Sequence, residues 1–212
     1  RPAYLARSRV ALGASGITGM HSRLVGQSIW RFQGKPLIPG MGDPTAASPL
    51  IYDLDDFPDK YIDHVDVPWK IPVGLWRSVT LSQNSFFGES AIDEAAAALG
   101  RDPYEFRLAM LGRHPRIRKV LETAARRAGW GQPLPKGRGR GIALSAAFGS
   151  ICAQVAEVSV SDAGQERVNR VTCDIDCGTV INPGLVEAQL EGGIVFGLGS
   201  IFYLVSNGVL IG

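Results

Sequence analysis

The sequence predicts an α+β fold in which antiparallel hairpins pack with several helices. Apolar and polar residues alternate over residues 3–29 and again over 151–175, as expected of strands with one buried face. Between about residues 83 and 129 the apolar residues instead recur with the period of a helix, and the period returns to two after Gly141. The chain has 212 residues, of which 45% are hydrophobic, enough for one large domain or two small ones.

The first 72 residues are predicted to form a strand and loop segment that completes the domain. We expect a hairpin over residues 3–29, with its turn at Gly13-Ala14-Ser15-Gly16. Residues 33–72 contain seven of the 13 prolines and follow no period. This composition predicts a long surface loop with short strands, one of them at residues 61–67.

Three helices are predicted in the middle of the chain. The first runs from about Gln83 to Leu99 and ends at Gly100 in a left-handed cap. The second begins at the N-cap Asp102, with Pro103 in its first turn, and ends at Gly112. The third runs from Pro115 to just before Gly129. Its apolar stripe consists of Ile117, Val120, Leu121, Ala124 and Ala128.

The last third of the chain is predicted to contain a linker, a hairpin and a helix. The linker spans residues 131–141, and the hairpin pairs residues 151–160 with 167–175 about a turn at 161–164. Asn182 caps the final helix, which runs to about Tyr203. A hairpin that starts there stops almost at once, and the chain lacks an initiator Met. We therefore expect it to be a piece of a longer protein.

Charge and cysteine content narrow the functional classes. The net charge is +2, but residues 113–140 hold nine Lys and Arg against the single acid Glu122. A solvated helix face with a basic loop is favoured, and a surface for an acidic protein or nucleic acid is the alternative. Trp130 is the one aromatic residue among these charges, so nucleic acid is not expected as a partner.

Three cysteines are too few for a disulfide scaffold and are expected to be structural thiols. The sequence has no run of 18 consecutive apolar residues, so no membrane span is expected.

The final helix holds five glycines, each of which costs roughly 0.5–1 kcal/mol relative to alanine. Two explanations stay open. Another helix could cross at Gly193 and Gly197, or a flat ligand could approach the helix with Gln189 as a polar contact.

Elsewhere, Arg77 precedes the first long helix and could bind an anion or form a surface salt bridge. Residues 137–141 suit a linker better than a phosphate loop, and no catalytic residues are visible.

Several motifs resemble the large subunit of isoquinoline 1-oxidoreductase and its relatives, the bacterial branch of the xanthine dehydrogenase and aldehyde oxidase family. The resemblance covers nearly the whole chain and is strongest from residue 73 to 203. The matching segments are Gly74-Leu75-Trp76-Arg77-Ser78-Val79, Ser90-Ala91-Ile92-Asp93-Glu94-Ala95-Ala96, Asp102-Pro103-Tyr104-Glu105-Phe106-Arg107, Ala128-Gly129-Trp130, Gly137 to Ala143, Gln154-Val155-Ala156-Glu157-Val158, Asp174 to Pro183 and Glu187 to Gly197.

The resemblance implies a molybdenum hydroxylase cofactor-binding domain over residues 73–212, cut short at its carboxyl end. Such enzymes oxidise N-heterocycles or aldehydes with water and pass electrons to an iron–sulfur subunit. Their cofactor is a molybdenum-pterin, expected as the cytosine dinucleotide. By resemblance, Trp76 and Arg77 lie near the molybdenum ligands, and Gln189 contacts the pterin beside Gly192 and Gly193.

The resemblance also implies what this chain lacks. The Glu-Met-Gly-Gln-Gly loop and the Gly-Val-Gly-Glu segment with the general base are absent, so no catalytic residue is assigned and the chain alone is expected to be inactive. Trp76 stands where wider family members have Phe. The rival hypotheses are a non-catalytic basic binding module and a domain that kept the fold but lost the chemistry.

Overall fold

The described part of the chain contains two three-stranded sheets, a two-stranded hairpin and six helices, which confirms the predicted α+β class. The computed structural model describes residues 4–47, 59–68, 73–74, 77–202, 204–206 and 209–211.

The amino-terminal sheet contains the predicted hairpin and one further strand. Strands β1 (Tyr4–Gly13) and β2 (Gly16–Gly26) pair antiparallel, and β3 (Asp59–Asp66) lies parallel to β2. The strand expected at 61–67 is therefore confirmed. Much of the proline-rich segment lies outside the described residues.

A buried polar network holds this sheet to two short helices, α1 (Ile29–Phe32) and α2 (Pro44–Ala47). The carboxylate of Asp43 accepts hydrogen bonds from the Ser28 hydroxyl at 2.7 Å and from the backbone N–H of Thr45 at 2.8 Å. His64 accepts at Nδ1 from the Asp43 N–H (3.3 Å) and donates from Nε2 to the Gly26 carbonyl (3.1 Å). Burial lowers the pKa of His64, which keeps it neutral for this structural role.

The three predicted central helices are confirmed as α3 (Leu81–Ala98), α4 (Pro103–Met110) and α5 (Pro115–Ala128). Asp102 caps α4 by accepting from the N–H groups of Tyr104 at 2.9 Å and Glu105 at 3.0 Å. Gly100 adopts a positive φ angle of 64° after α3, as predicted, and Gly129, which was predicted only to follow the end of α5, adopts one of 68°.

The second sheet corrects one prediction. Strands β4 (Arg138–Ala147), β5 (Ser150–Val160) and β6 (Glu166–Asp176) form an antiparallel meander. The predicted hairpin is confirmed as β5 and β6, but residues 138–141 belong to β4 rather than to a linker. The strand was not predicted there because glycine-rich segments are more typical of linkers than of strands. Arg140 nevertheless pairs opposite Glu157 and donates back to the Gly129 carbonyl at 2.7 Å.

The final helix α6 (Pro183–Phe202) begins as predicted, since the Asn182 side chain accepts from the Leu185 N–H at 3.2 Å. Strands β7 (Leu204–Ser206) and β8 (Val209–Ile211) then pair antiparallel, which confirms the last hairpin. None of residues 183–200 is buried.

The main core lies where α5 packs against the second sheet. The predicted stripe of α5 is confirmed, with Ile117 only partly buried. The buried core residues of α5, β4 and β5 are Val120, Leu121, Ala124, Ala125, Ala128, Ile142, Leu144, Ile151, Ala153 and Val155.

Arg107 is a fully buried side chain that ties three elements together. Its guanidinium bonds Glu89 of α3 at 3.0 Å and Asp93 of the same helix at 2.7 Å. The Glu89 carboxylate also accepts from the Leu144 N–H of β4 at 2.8 Å. In the segment Asp102 to Arg107, which resembles the family motif, Asp102 thus caps α4 and Arg107 joins α4 to α3.

The basic segment is largely neutralised within the chain. Among the described residues, at least five of its nine cations form ion pairs with acids: Arg116–Asp176, Arg118–Glu122, Arg127–Asp174, Arg138–Glu157 and Arg140–Glu157. The favoured interpretation of a structural, solvated face agrees with this arrangement. In the part of the chain that the structure describes, none of the helices is long and apolar enough to cross a membrane.

Candidate functional site

The turn before α3, which begins at Arg77, has an unusual backbone conformation. Ser78 and Val79, which follow Arg77, have φ angles of 68° and 51°. Left-handed conformations are uncommon outside glycine and are most strained at β-branched residues such as Val79. Each sparsely populated residue costs of order 1–3 kcal/mol, and such strain is concentrated at functional sites. Trp76 lies outside the described residues, so its predicted role stays a prediction.

Arg77 contacts α6 at the residues that the sequence resemblance singled out. Its Nη2 donates to the Gln189 backbone carbonyl and to the Gln189 Oε1, both at 3.1 Å. Its guanidinium carbon also lies 5.9 Å from the centre of the Phe196 ring. Residues 189, 192, 193 and 196 share one face of a helix, and Arg77 lies along that face. The structure thus brings together four of the five predicted site residues, although 112 positions separate Arg77 from Gln189.

The glycines of α6 leave space for this guanidinium. A Cβ atom added to Gly192 would lie 3.6 Å from Arg77 Nη1, and one added to Gly193 would lie 3.6 Å from Nη2. Larger side chains would displace Arg77. Within the described chain, the group that approaches both glycines is therefore a planar side chain and not the backbone of a crossing helix.

The cluster presents hydrogen-bond donors to its surroundings. Arg77 donates to the Gln189 Oε1, and the amide nitrogen of the same side chain carries two further N–H donors. Arg77 has further donors besides Nη2, and both side chains are exposed. An arrangement of this kind can bind an anionic or acceptor-rich group.

An open cleft of about 1070 Å³ adjoins the same turn. Val79 and Thr80 of the turn form part of its wall, together with the beginning of α5 and the tip of the β4–β5 hairpin. Phe148 at that tip is 88% exposed and has a φ angle of 51°. The cleft was not predicted from the sequence. The available signal was Phe148-Gly149 at a two-residue turn, where Asn-Gly is the favoured pair.

Two polar residues near the start of α3 connect this helix to its neighbours. Asn84 is fully buried and donates to the Ala46 carbonyl at 2.7 Å, while the Ser85 hydroxyl lies 3.2 Å from that of Ser145. They join α3 to α2 and to β4. Among the described residues, no group of three or more His, Cys, Asp or Glu could hold a metal ion.

Comparisons with known proteins identify the family. Residues 116–203 match the molybdopterin cofactor-binding domain. The chain is 35% identical to the isoquinoline 1-oxidoreductase beta chain of Brevundimonas diminuta over 148 residues, which are 68% of this chain and 19% of that protein. It is 33% identical to a nicotinate dehydrogenase subunit of Pseudomonas putida over 179 residues, 76% of this chain and 14% of that protein.

A third relative is named as a membrane-bound aldehyde dehydrogenase (pyrroloquinoline-quinone) of Gluconacetobacter polyoxogenes. It is 29% identical over 150 residues, 61% of this chain and 19% of that protein. This chain spans less than a fifth of the length of the curated relatives that it matches. Their similarity and the matched domain nevertheless agree on one assignment, and the chain belongs to the molybdopterin-binding family of isoquinoline 1-oxidoreductase-type large subunits.

Proposed function

We propose that this chain forms part of the cofactor-binding shell of a molybdenum hydroxylase large subunit. The observation that carries the proposal is the Arg77 guanidinium, which bonds Gln189 and lies over Gly192 and Gly193. The complete enzyme would oxidise an N-heterocycle or an aldehyde with water and pass electrons to an iron–sulfur subunit. The names of the relatives, which include isoquinoline, nicotinate and aldehyde enzymes, support that substrate range.

The residues present fit a molybdenum-pterin. A pterin is flat and rich in acceptors, and the exposed Arg77 guanidinium, which lies over the glycines of α6, offers donors together with the Gln189 amide. Arg77 would also bind the negative charge of a phosphate, and the cytosine dinucleotide is the form that we propose. When bound, the cofactor supplies the oxygen-transfer and electron-accepting chemistry. Trp76 is proposed to lie beside it, and the general base is proposed to lie outside this chain.

The residues of this chain would orient the bound molecules and exclude water. The bond from Arg77 fixes the Gln189 amide, so that its N–H donors are held ready for an acceptor. The apolar part of the cleft wall, which includes Val79, Ile117 and Phe148, would hold the substrate ring. A cleft of about 1070 Å³ is large enough for a small heterocycle.

The proposal is tested by molybdenum content and melting of a Gln189→Leu variant. The protein is purified from a host that makes the cofactor, and molybdenum and released nucleotide are measured. Loss of the amide leaves a buried cofactor group unpaired, which costs about 1–3 kcal/mol, or roughly 5- to 150-fold in affinity. Gln189 is exposed, so the melting temperature of the cofactor-free protein should hardly change.

The matched control is Gln165→Leu, another exposed glutamine, in the turn between β5 and β6. It should retain molybdenum. Release of cytidine monophosphate on hydrolysis would support the dinucleotide form. Full molybdenum occupancy in Gln189→Leu would remove Gln189 from the site. A fall in the stability of the cofactor-free protein would instead assign Gln189 to packing.

A further inference from the structure

Two of the three cysteines lie close together in the second sheet. Cys152 is on β5, and Cys173 is on β6 opposite Gln154, so the two cysteines are diagonal neighbours. Their sulfur atoms are 3.4 Å apart, and both side chains are partly buried. Cys177 lies beyond the end of β6 and is also a free thiol. The pairing of Cys152 with Cys173 was not predicted from the sequence.

Cys152 can be reached from solvent along a groove between α3 and the second sheet. The groove has a volume of about 580 Å³, and Ser85, Ser145 and Gln154 also contribute to its wall. A molecule as small as hydrogen peroxide fits in such a space. Cys173 is also partly exposed, but it does not line this groove.

The surroundings of the pair favour a thiolate on Cys152. The Cys173 thiol is within hydrogen-bonding distance of its sulfur, and the Gln154 amide donates to the same sulfur at 3.7 Å. The bond from Cys173 outweighs burial and lowers the pKa of Cys152 to about 7. The same bond, with burial, raises the pKa of Cys173. The thiolate is the reactive form of cysteine, so Cys152 is the nucleophile of the pair.

We propose that Cys152 and Cys173 form an oxidation site, in which Cys152 reacts with a peroxide and Cys173 converts the product to a disulfide. The Cys152 sulfur attacks hydrogen peroxide and takes one oxygen as the O–O bond breaks, and the other oxygen leaves as water. The Cys173 sulfur then attacks the sulfenic acid. The S–S bond forms, the S–O bond breaks, and the departing hydroxide leaves as water with the Cys173 proton. Two thiols are oxidised by two electrons, and one peroxide is reduced to two waters.

Closure of the pair requires a local movement. A disulfide needs the sulfur atoms at about 2.05 Å, and diagonal positions of an antiparallel pair lie further apart than directly opposite ones. The two strands must therefore approach each other slightly. We expect a bond that a dithiol reductant reopens readily.

The experiment treats the reduced, folded chain with hydrogen peroxide and maps the product by mass spectrometry. We expect the intact mass to fall by the mass of two hydrogens, with a Cys152–Cys173 cross-linked peptide and an alkylatable Cys177. The Cys177→Ser control should behave like wild type. In Cys173→Ala, Cys152 should accumulate as a sulfenic acid that dimedone traps. Its alkylation rate near pH 7 should fall by about 5-fold or more, because a pKa raised by one unit from about 7 lowers the thiolate fraction from about a half to about a tenth.

Three results would overturn the proposal. The first is an intact chain that gains oxygen atoms without forming the cross-link. The second is equal oxidation of Cys177 and Cys152, and the third is an unchanged alkylation rate in Cys173→Ala. The same peptide map on urea-unfolded wild-type chain keeps the test decisive if a variant misfolds. The specific pairing should then be lost, whereas its persistence would contradict a role for the fold.

Discussion

Replacement of Arg107 by leucine should be among the most damaging single changes to the described part of this protein. Arg107 has no exposed surface, and the Glu89 side chain beside it is 9% exposed. The Arg107→Leu variant keeps the Glu89 carboxylate buried without its cation. Breaking a buried ion pair by removing one partner costs about 3–5 kcal/mol. Domains of this kind are stable by only about 5–15 kcal/mol, so the loss is a large fraction of the total.

The free energy of unfolding is measured by urea titration followed by circular dichroism. The matched control is Arg118→Leu, whose ion pair with Glu122 is on the surface of α5 with side chains 44% and 39% exposed. An exposed pair of this spacing contributes about 0.3–0.5 kcal/mol. The two variants remove the same functional group and differ mainly in burial.

The pH dependence provides an independent check. Burial raises the pKa of Glu89, and the charge of Arg107 offsets this only in part. Glu89 therefore favours the folded state below its unfolded pKa of about 4.3, and that contribution is lost as the pH rises through its folded value. Without Arg107 the folded pKa rises further. The deficit of Arg107→Leu should be largest at neutral pH and should shrink as the carboxyl is protonated. A neutral-pH deficit no larger than that of Arg118→Leu, or one independent of pH, would refute this reasoning.

Two further predictions follow from local geometry. The bonds from Arg116 and the Gly178 N–H lower the pKa of Asp176, so Asp176 stabilises the fold above its unfolded pKa of about 3.9 and loses this effect as the pH falls. Asp176→Asn should thus be less stable than wild type at pH 6, and urea titrations should show the two converging in acid; parallel curves would contradict it. Phe148→Asn should raise the melting temperature, since Asn tolerates the left-handed turn at a saving of about 1 kcal/mol. A lower melting temperature would show that Phe148 is held by contacts that outweigh its backbone strain.

Local signals explain why the helices could be predicted from the sequence. The N-cap at Asp102 and the helix end at Gly129 depend on residues within one helical turn. A short stretch of sequence is therefore enough to predict where these helices begin or end. Strand β4 was missed because glycines 137, 139 and 141 resemble a linker. Residues 138–141 belong to a sheet because they pair with β5, where Arg140 lies opposite Glu157. Glu157 is 17 residues from Arg140 in the sequence, so a short window around Arg140 does not contain its partner.

Contacts between residues far apart in the sequence were even harder to predict at the candidate site and around Arg107. Nothing local distinguishes the buried Arg107 from a surface arginine, because its partner Glu89 is on another helix. Arg77 and Gln189 were associated only through the family resemblance, and physical reasoning from the residues left the glycines of α6 with two open explanations. The sequence at the strained Phe148 turn gave a local signal, but the cleft beside it forms only where several separate elements meet.

The exposed position of α6 has a thermodynamic consequence. Five interior glycines disfavour this helix by roughly 2.5–5 kcal/mol relative to alanine, and residues 183–200 gain little from burial. Its local free energy of opening is correspondingly small, and Arg77 opposes opening through its two bonds to Gln189. A ligand that binds only the ordered helix adds RT ln(1 + [L]/Kd), or about 2.7 kcal/mol at a hundredfold excess over Kd. Binding of a ligand at the Arg77–Gln189 cluster and ordering of α6 are thus thermodynamically linked, so that each favours the other.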